Sequence, residues 1–245
     1  MRYPEEVIRD RFSVMLSASH PVTHGSRPYP PNVIEVGSLH VREPRPLPKD
    51  LKTFMDSAAR GVVYVSFGSA IKPSHMSEKK LSVFLDTFKN LDESVVWKWD
   101  ADIQGLPGNV FTSSWLPQQD VLGHPNLKVF VTHGGMGSIM EAIYHRAKIL
   151  GIPLLNDQRT NLKRAARHGN ARMLEWGNLT AEELTNAIKD VISDNEMTLA
   201  AGRIHDLYVD SQHRVAIQLD FFGSKNGPNI GPKTGPKCHL KRIHV

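Results

Sequence analysis

The chain has 245 residues, of which 40% are hydrophobic and 22% charged, a composition that excludes an intrinsically disordered protein. Five of the basic residues follow Phe221 with no acid among them, and the other 25 are balanced by 25 acids, so the net charge of +5 predicts a basic tail rather than a nucleic-acid-binding face. The single cysteine, Cys238, lies in that tail and excludes a disulfide or a Cys-based metal site within these residues.

Residues 1–48 are Pro-rich and predict a linker that contains one strand, at the short apolar segment Val33–Val36. His20 and His24 lie in a Pro- and Ser-rich stretch and are predicted to be loop residues. Residues 1–10 lack the apolar core of a secretory signal peptide, and no uncharged apolar run reaches the length of a bilayer. The chain as written is therefore expected to be soluble.

From Gly61 the pattern alternates between strand and helix. The continuous apolar run Val62–Ser66 predicts a strand that is covered on both faces. Ser77 then predicts the cap of a helix whose apolar residues are spaced i, i+3, i+4, i+7: Leu81, Phe84, Leu85 and Phe88. Further strand-like runs are Val95–Trp97, Val110–Phe111, Val129–Val131 and Ile149–Leu155.

The last predicted helix of the body opens with the capping box Thr180–Glu183, and its apolar stripe is Leu184, Ala187, Ile188 and Val191. Strands that alternate with helices predict a mostly parallel sheet with helices on both faces. Ligands of such sheets bind beyond the carboxyl ends of the strands. After Phe222, Gly-Pro pairs recur every four residues, which excludes collagen and predicts a disordered extension.

The stretch Val129–Ala142 carries the strongest chemical signal. A buried strand leads into a Gly-rich loop, and a helix follows directly. Glycines at 134, 135 and 137 allow a close approach of the backbone to a ligand, and the free N–H groups of the helix favour a phosphate. When the loop is considered without its flanking sequence, the alternative interpretation is a plain strand–turn–helix corner with a histidine in the core. A dinucleotide fingerprint fits less well, because Met140 stands where its third glycine would be.

Two further blocks flank this loop. Trp115-Leu-Pro-Gln118 precedes Thr132-His-Gly-Gly135 and its Glu141, and Ile152-Pro153 with Asp157-Gln158 follows. In this order and at these intervals, the chain resembles the family 1 glycosyltransferases, especially animal UDP-glucuronosyltransferases and their insect UDP-glucosyltransferase relatives. Asn32–Gly37 and Val65–Ser69 add to the resemblance, which covers roughly Ser13 to Asp210.

The resemblance implies a fold and a division of the chain. The fold class is α/β, a Rossmann-like parallel sheet with helices on both faces, as in the C-terminal domain of a GT-B type glycosyltransferase. Residues 1–48 would be the linker and a remnant of an N-terminal acceptor domain, 49–220 the UDP-sugar-binding domain, and 221–245 a basic, disordered tail. Relatives carry a catalytic His–Asp pair in the acceptor domain, and most are anchored in the endoplasmic reticulum membrane.

The family's binding roles for the nucleotide carry over residue by residue. Trp115 would stack on the uracil ring, with a buried core tryptophan as the alternative. Gln118 would hold the polar edge of the nucleoside, and Glu141 would accept hydrogen bonds from the ribose. The diphosphate would be held by His133, the amides of Gly135 and Gly137, and the Ser138 hydroxyl. Relatives often have a polar residue at the position of Gly137, so one such hydrogen bond is expected to be absent.

The sugar would be bound by Asp157 and Gln158, for which a helix N-cap is the compatible alternative. Ser69 would touch the diphosphate or the sugar, and an ordinary turn serine is its alternative. The helix N-terminus and His133 would stabilise the leaving UDP electrostatically, so no metal cofactor is expected.

The expected activity of the complete enzyme is transfer of a hexose or glucuronate from a UDP-sugar to a small lipophilic hydroxyl acceptor. This chain would be the donor-binding half, with no catalytic residue of its own, and it would meet the acceptor only together with the missing N-terminal domain. The alternative is a short non-catalytic form that binds UDP-sugar or a partner such as a full-length family member.

Overall fold

The computed structural model describes residues 14–68 and 76–223, with side chains described as far as Asp210. The predicted tail, including Cys238, lies almost wholly outside the described residues. The chain divides into two compact units, one of residues 1–39 and 207–245 and the other of residues 40–206. The three-part division at residues 48 and 220 remains a prediction.

The smaller unit contains a short parallel ladder. Strand β1 (Met15–Ser17) pairs with β2 (Val33–Glu35), and helix α1 (Pro21–His24) follows β1. The prediction of a strand at β2 is confirmed. The prediction of an irregular chain elsewhere was wrong for β1 and α1, because elements of three or four residues are too short to show a hydrophobic period.

His20 has a structural role in this unit. Its Nδ1 accepts a hydrogen bond from the Val22 N–H at 3.1 Å and so caps α1. Its buried ring lies with its centroid 4.3 Å from that of Tyr208. His24 forms the last residue of α1 rather than part of a loop. The backbone amide and the aromatic neighbour hold the His20 ring in place.

The larger unit is built on six parallel strands. They are β3 (Val62–Ser66), β4 (Ser94–Lys98), β5 (Val110–Ser113), β6 (Leu127–Thr132), β7 (Ile149–Gly151) and β8 (Ala171–Met173). Their order in the sheet is β5-β4-β3-β6-β7-β8, so the chain runs outward from β3, returns to β6 beside it, and continues the other way. The carboxyl ends of β3 and β6 therefore flank the point at which the winding reverses, where ligands bind in such sheets.

In the larger unit the three-residue β8 was not predicted, and one predicted strand, β7, ends earlier than expected. Every residue of β3 is buried, as its unbroken apolar run predicts. The run Ile149–Leu155, in contrast, is a strand only as far as Gly151, and Leu155 is 60% exposed. Pro153 accounts for the difference, because it has no N–H to donate to a neighbouring strand.

The helices are α2 (Lys49–Asp56), α3 (Glu78–Lys89), α4 (Gln118–Leu122), α5 (Met136–Tyr144), α6 (Gln158–Arg167), α7 (Ala181–Ser193) and α8 (Asn195–Gly223). Both predicted side-chain caps are present: Ser77 accepts from the Lys80 N–H, and Thr180 accepts from the Glu183 N–H at 3.1 Å. The predicted stripe of α7 is buried. No helix in residues 14–68 or 76–223 is long and apolar enough to span a membrane.

Candidate functional site

A cavity of about 260 Å³ lies in the larger unit, at the switch point of the sheet. Four predicted residues line it together: Gln118, Gly137, Ser138 and Glu141. The other lining residues are Tyr64, Gly68, Lys98 and Leu116. The loops that follow parallel strands thus bring these side chains to one place although they are far apart in sequence.

The turn between β6 and α5 presents helix N–H groups at this cavity. Gly135 is the N-cap residue, with extended backbone angles (φ −60°, ψ 137°), and it supplies no side-chain hydrogen bond to the first turn. The first N–H groups of any helix have no acceptor within the helix. Together with the helix dipole, they form a region that favours an anion beside Gly137 and Ser138.

His133 packs directly behind this turn. It follows the last residue of β6, and its side chain lies between Gly68 and Gly135: a Cβ on either glycine would come within 2.8 Å or 2.7 Å of the ring. Burial lowers the pKa of His133, although the charge of Asp157 acts in the opposite direction. The ring is therefore neutral at pH 7, and it can donate a hydrogen bond to an anion without carrying a charge.

Gln118 and Glu141 bind each other in this structure. Gln118 Nε2 donates to Glu141 Oε2 at 2.6 Å and to Ser138 Oγ at 3.0 Å. The Tyr64 hydroxyl donates to Gln118 Oε1 at 3.2 Å. The sequence predicts separate ligand contacts for Gln118 and Glu141, whereas the structure joins the two side chains in one hydrogen-bond network. A ligand would therefore have to add to these hydrogen bonds or replace some of them.

Sequence reasoning missed Tyr64, Lys98 and His40. Lys98 ends β4, and its Nζ donates to the Gly68 carbonyl at 3.0 Å. Its position at the carboxyl end of a central strand was a usable signal. Tyr64 is buried, and burial raises the pKa of its hydroxyl. His40 Nε2 lies 3.2 Å from Glu141 Oε1, and nothing in the sequence pattern indicates this contact.

Trp115 is not a core residue. Its side chain is 69% exposed, which contradicts the alternative of a buried tryptophan. The Ser113 hydroxyl donates to the Trp115 carbonyl at 2.7 Å and fixes the backbone just before α4. The large ring is thus available to a planar ligand, but it does not line the cavity, and its role in stacking remains a prediction.

Asp157 and Gln158 lie at the start of α6. Asp157 is the N-cap residue by position, but its side chain makes no capping hydrogen bond. Instead, Asn161 Nδ2 donates both to Asp157 Oδ2 at 2.8 Å and to the Gly134 carbonyl at 3.2 Å. This bridge connects Asp157 to the Gly-rich loop. The predicted N-cap position is confirmed for Asp157, although its side chain makes no capping hydrogen bond.

Gln158 shapes the loop that precedes α6. It is buried, and its Oε1 accepts from the N–H groups of Leu154 and Leu155, both at 2.8 Å. Its Nε2 donates to no group among the described residues. Ser69, the remaining predicted site residue, lies outside the described residues. Within the part of the chain that is described, no cluster of His, Cys, Asp and Glu could hold a metal ion.

Comparison with known proteins gives consistent results. A family model described as "UDP-glucoronosyl and UDP-glucosyl transferase" matches residues 10–212. UDP-glycosyltransferase UGT5 of Dactylopius coccus is 33% identical over 201 residues, which are 81% of this chain and 38% of that protein. UDP-glucuronosyltransferase 2B14 of Oryctolagus cuniculus is 39% identical over 202 residues, or 80% of this chain and 38% of that protein. The chain thus spans less than two fifths of the length of these relatives.

Solved structures show the same fold. LpCGTa, determined in complex with UDP, superposes with a TM-score of 0.68 at 22% identity, over 84% of this chain and 54% of that one. UGT71G1 of Medicago truncatula, determined with UDP-glucose, superposes with a TM-score of 0.66 at 22% identity, over 79% of this chain and 49% of that one. At these identities the likeness establishes the parallel, doubly covered sheet of GT-B glycosyltransferases.

Proposed function

Because this chain belongs to the family of UDP-glucoronosyl and UDP-glucosyl transferases, we propose that it binds the UDP part of a UDP-sugar donor. The complete enzyme would transfer a hexose or glucuronate to a small lipophilic hydroxyl acceptor. The observation that carries the proposal is that the first turn of a helix without a side-chain cap and the Glu141 carboxylate line one cavity, with the buried His133 packed against Gly68 and Gly135 beside it.

The diphosphate would lie against the first turn of α5. The N–H groups around Gly135 and Gly137 and the Ser138 hydroxyl supply neutral donors there, with the His133 ring directly behind the turn. Such fixed dipoles stabilise negative charge without rearranging during the reaction. The Lys98 ammonium, which lines the same cavity, adds a positive charge. In the transition state these groups would stabilise the charge that develops on the departing UDP.

The nucleoside would lie on the other side of the cavity. Glu141 can accept hydrogen bonds from ribose hydroxyls, and Gln118 can exchange its contact with Ser138 for the polar edge of the base. The exposed Trp115 ring would stack on the uracil. Asp157, with the free Nε2 of Gln158, would bind sugar hydroxyls, and Ser69 would contact the diphosphate or sugar.

The chemical step would need a base that lies outside these residues. An acceptor hydroxyl would lose its proton to a histidine of the N-terminal domain and attack the anomeric carbon, the carbon–oxygen bond to UDP would break, and the configuration would invert. General-base catalysis of this kind contributes about 10²–10⁴-fold to the rate. The donor half would contribute positioning and charge stabilisation only.

Calorimetric titration of the chain with UDP, UDP-glucose and UDP-glucuronate tests this proposal. We expect all three to bind with similar affinity, since the nucleotide makes most of the contacts. Glu141→Ala should weaken UDP binding by about 1.5–3 kcal/mol, the value of a hydrogen bond to a charged group. Glu182→Ala, which removes an exposed carboxylate from α7, is the matched control. Absence of binding to all three ligands by folded protein would refute the proposal.

A further inference from the structure

The carboxylate of Glu141 is held by two side chains from different parts of the chain. Gln118 Nε2 donates to Oε2 at 2.6 Å, and His40 Nε2 lies 3.2 Å from Oε1. The Glu141 side chain is 12% exposed and that of His40 is 49% exposed. A carboxylate offers about four acceptor positions. Gln118 donates to one oxygen, and His40 can donate to the other when Nε2 carries the proton, which orients the group and leaves both oxygens able to accept a further hydrogen bond.

Several contacts fix the backbone around His40. Gln119 Nε2 donates to the His40 carbonyl at 3.1 Å, and Gln119 Oε1 accepts from the Arg42 N–H at 2.8 Å. The Arg42 guanidinium donates to both oxygens of Asp120, at 2.6 and 2.9 Å, and the Arg45 N–H donates to the same carboxylate. Burial alone would raise the pKa of Asp120, but the hydrogen bonds from Arg42 and Arg45 lower it. The segment is therefore held by an ionised aspartate.

The His40 ring lies beside Gly137. A Cβ at Gly137 would lie 4.0 Å from His40 Cε1 and Nε2, an ordinary contact distance. The imidazole thus lies beside both Gly137 and Glu141, which line the cavity. The ring reaches the ribose side of the site from a segment that precedes the whole sheet of the larger unit.

We propose that His40 is a positioning residue that orients Glu141 to accept the ribose hydroxyls of the nucleotide. The proposal rests on the proposed function, because it assigns the ribose to Glu141. When Oε1 has no donor, Gln118 alone orders the carboxylate, the ligand must order it further, and the entropy lost in that ordering weakens binding. The proposed phosphate contacts do not involve His40, and the hydrogen bond between Gln118 and Glu141 remains when His40 is replaced. The effect should therefore be confined to ligands that carry the hydroxyls.

The test compares UDP with 2′,3′-dideoxyuridine diphosphate, which lacks both ribose hydroxyls, by calorimetric titration of the full chain. We expect His40→Ala to weaken UDP binding about five- to tenfold and to change dideoxy binding less than about twofold. His40→Gln, whose amide can donate to Oε1, should restore UDP binding to within about twofold of the parent. Thermal melting verifies that each variant is folded.

His124→Ala is the matched control. His124 Nε2 lies 3.1 Å from Asp56 Oδ1, a pair of the same type near the amino ends of the strands. Loss of the His124 side chain should leave the ratio of the affinities for UDP and the dideoxy analogue unchanged. In a Glu141→Ala background, His40→Ala should have no additional effect on UDP binding, because a positioning residue acts only through its partner.

The outcomes separate the two proposals. If the parent chain binds UDP but His40→Ala leaves the ratio unchanged, or weakens both ligands equally, the role of His40 is overturned while the proposed function stands. Additive effects of His40→Ala and Glu141→Ala would overturn it in the same way. If the parent chain binds neither nucleotide, the proposed function fails and the role of His40 fails with it.

Discussion

Burial lowers the pKa of three histidines among the residues whose side chains the structure describes. It lowers the pKa of His20, His133 and His145, and that of His145 to about 4. The nearby charges of Glu43 and Asp120 favour protonation of His145, but burial outweighs them. His145 Nε2 is buried and has no hydrogen-bond partner among the described residues. A protonated His145 would therefore be a poorly solvated charge at the end of α5.

We predict that the free energy of unfolding decreases as the pH falls from about 6.5 to 4. The unfolded chain takes up protons at the ordinary histidine pKa, whereas the folded chain takes them up only at lower pH, so added protons favour unfolding. His145→Gln should reduce this slope in urea unfolding at pH 7, 6 and 5. An unchanged slope in His145→Gln would contradict the prediction.

The turn between β6 and α5 is shaped by close packing rather than by an unusual backbone at its N-cap. Gly135 has a φ of −60°, which any residue can adopt, but a Cβ there would lie 2.7 Å from His133 Nε2. At Gly137, two residues later, the nearest atoms to the position of a Cβ, apart from neighbouring residues and the backbone of the helix, are those of the His40 ring at 4.0 Å, an ordinary contact distance. A Cβ would therefore clash at Gly135 but fit at Gly137.

Gly135→Ala and Gly137→Ala should have opposite effects on stability. We expect Gly135→Ala to destabilise the fold by about 1–3 kcal/mol, because the ring of His133 or the turn must move. Gly137→Ala should stabilise it by roughly 0.5–1 kcal/mol, since alanine is preferred to glycine inside a helix. Midpoints of urea unfolding measure both. Equal effects of the two substitutions would show that the packing of His133 does not constrain the turn.

At the scale of the whole molecule, the chain matches its relatives over less than two fifths of their length. The donor-binding hypothesis and the alternative of a non-catalytic binding form both predict nucleotide binding. Neither hypothesis assigns a catalytic base to the described residues. His20, one of the two histidines that precede residue 40 among the described residues, accepts a backbone hydrogen bond and packs against Tyr208.

We predict that the isolated chain transfers no sugar to phenols or alcohols, and that fusion to an acceptor domain of the family restores transfer. Loss of a positioned base removes about 10²–10⁴-fold of the rate, in addition to the loss of acceptor positioning. Mass spectrometry of reactions with UDP-glucose, UDP-glucuronate and a panel of small phenols provides the measurement, with a full-length relative as the positive control. Glycoside formed by the chain alone, and abolished by His20→Ala or His24→Ala, would disprove the prediction.

The amino-acid sequence by itself determined the type of sheet, the capped helices at Ser77 and Thr180, and the family. These features are local: a buried strand, a helix cap or a motif block is written in neighbouring residues. The sequence also indicated Gln118, Gly137, Ser138 and Glu141 as binding residues, and these four line one cavity. Three-residue β1 and four-residue α1 were missed because they are too short to show a period.

Only the tertiary structure decided the order of the strands, the bond between Gln118 and Glu141, and the approach of His40 to that carboxylate. His40 and Glu141 are about a hundred residues apart, and their contact depends on how Arg42 and Asp120 dock one segment against α4. Contacts of this kind arise from packing between distant elements, and the periodicity of a single chain segment contains no information about its neighbours in space.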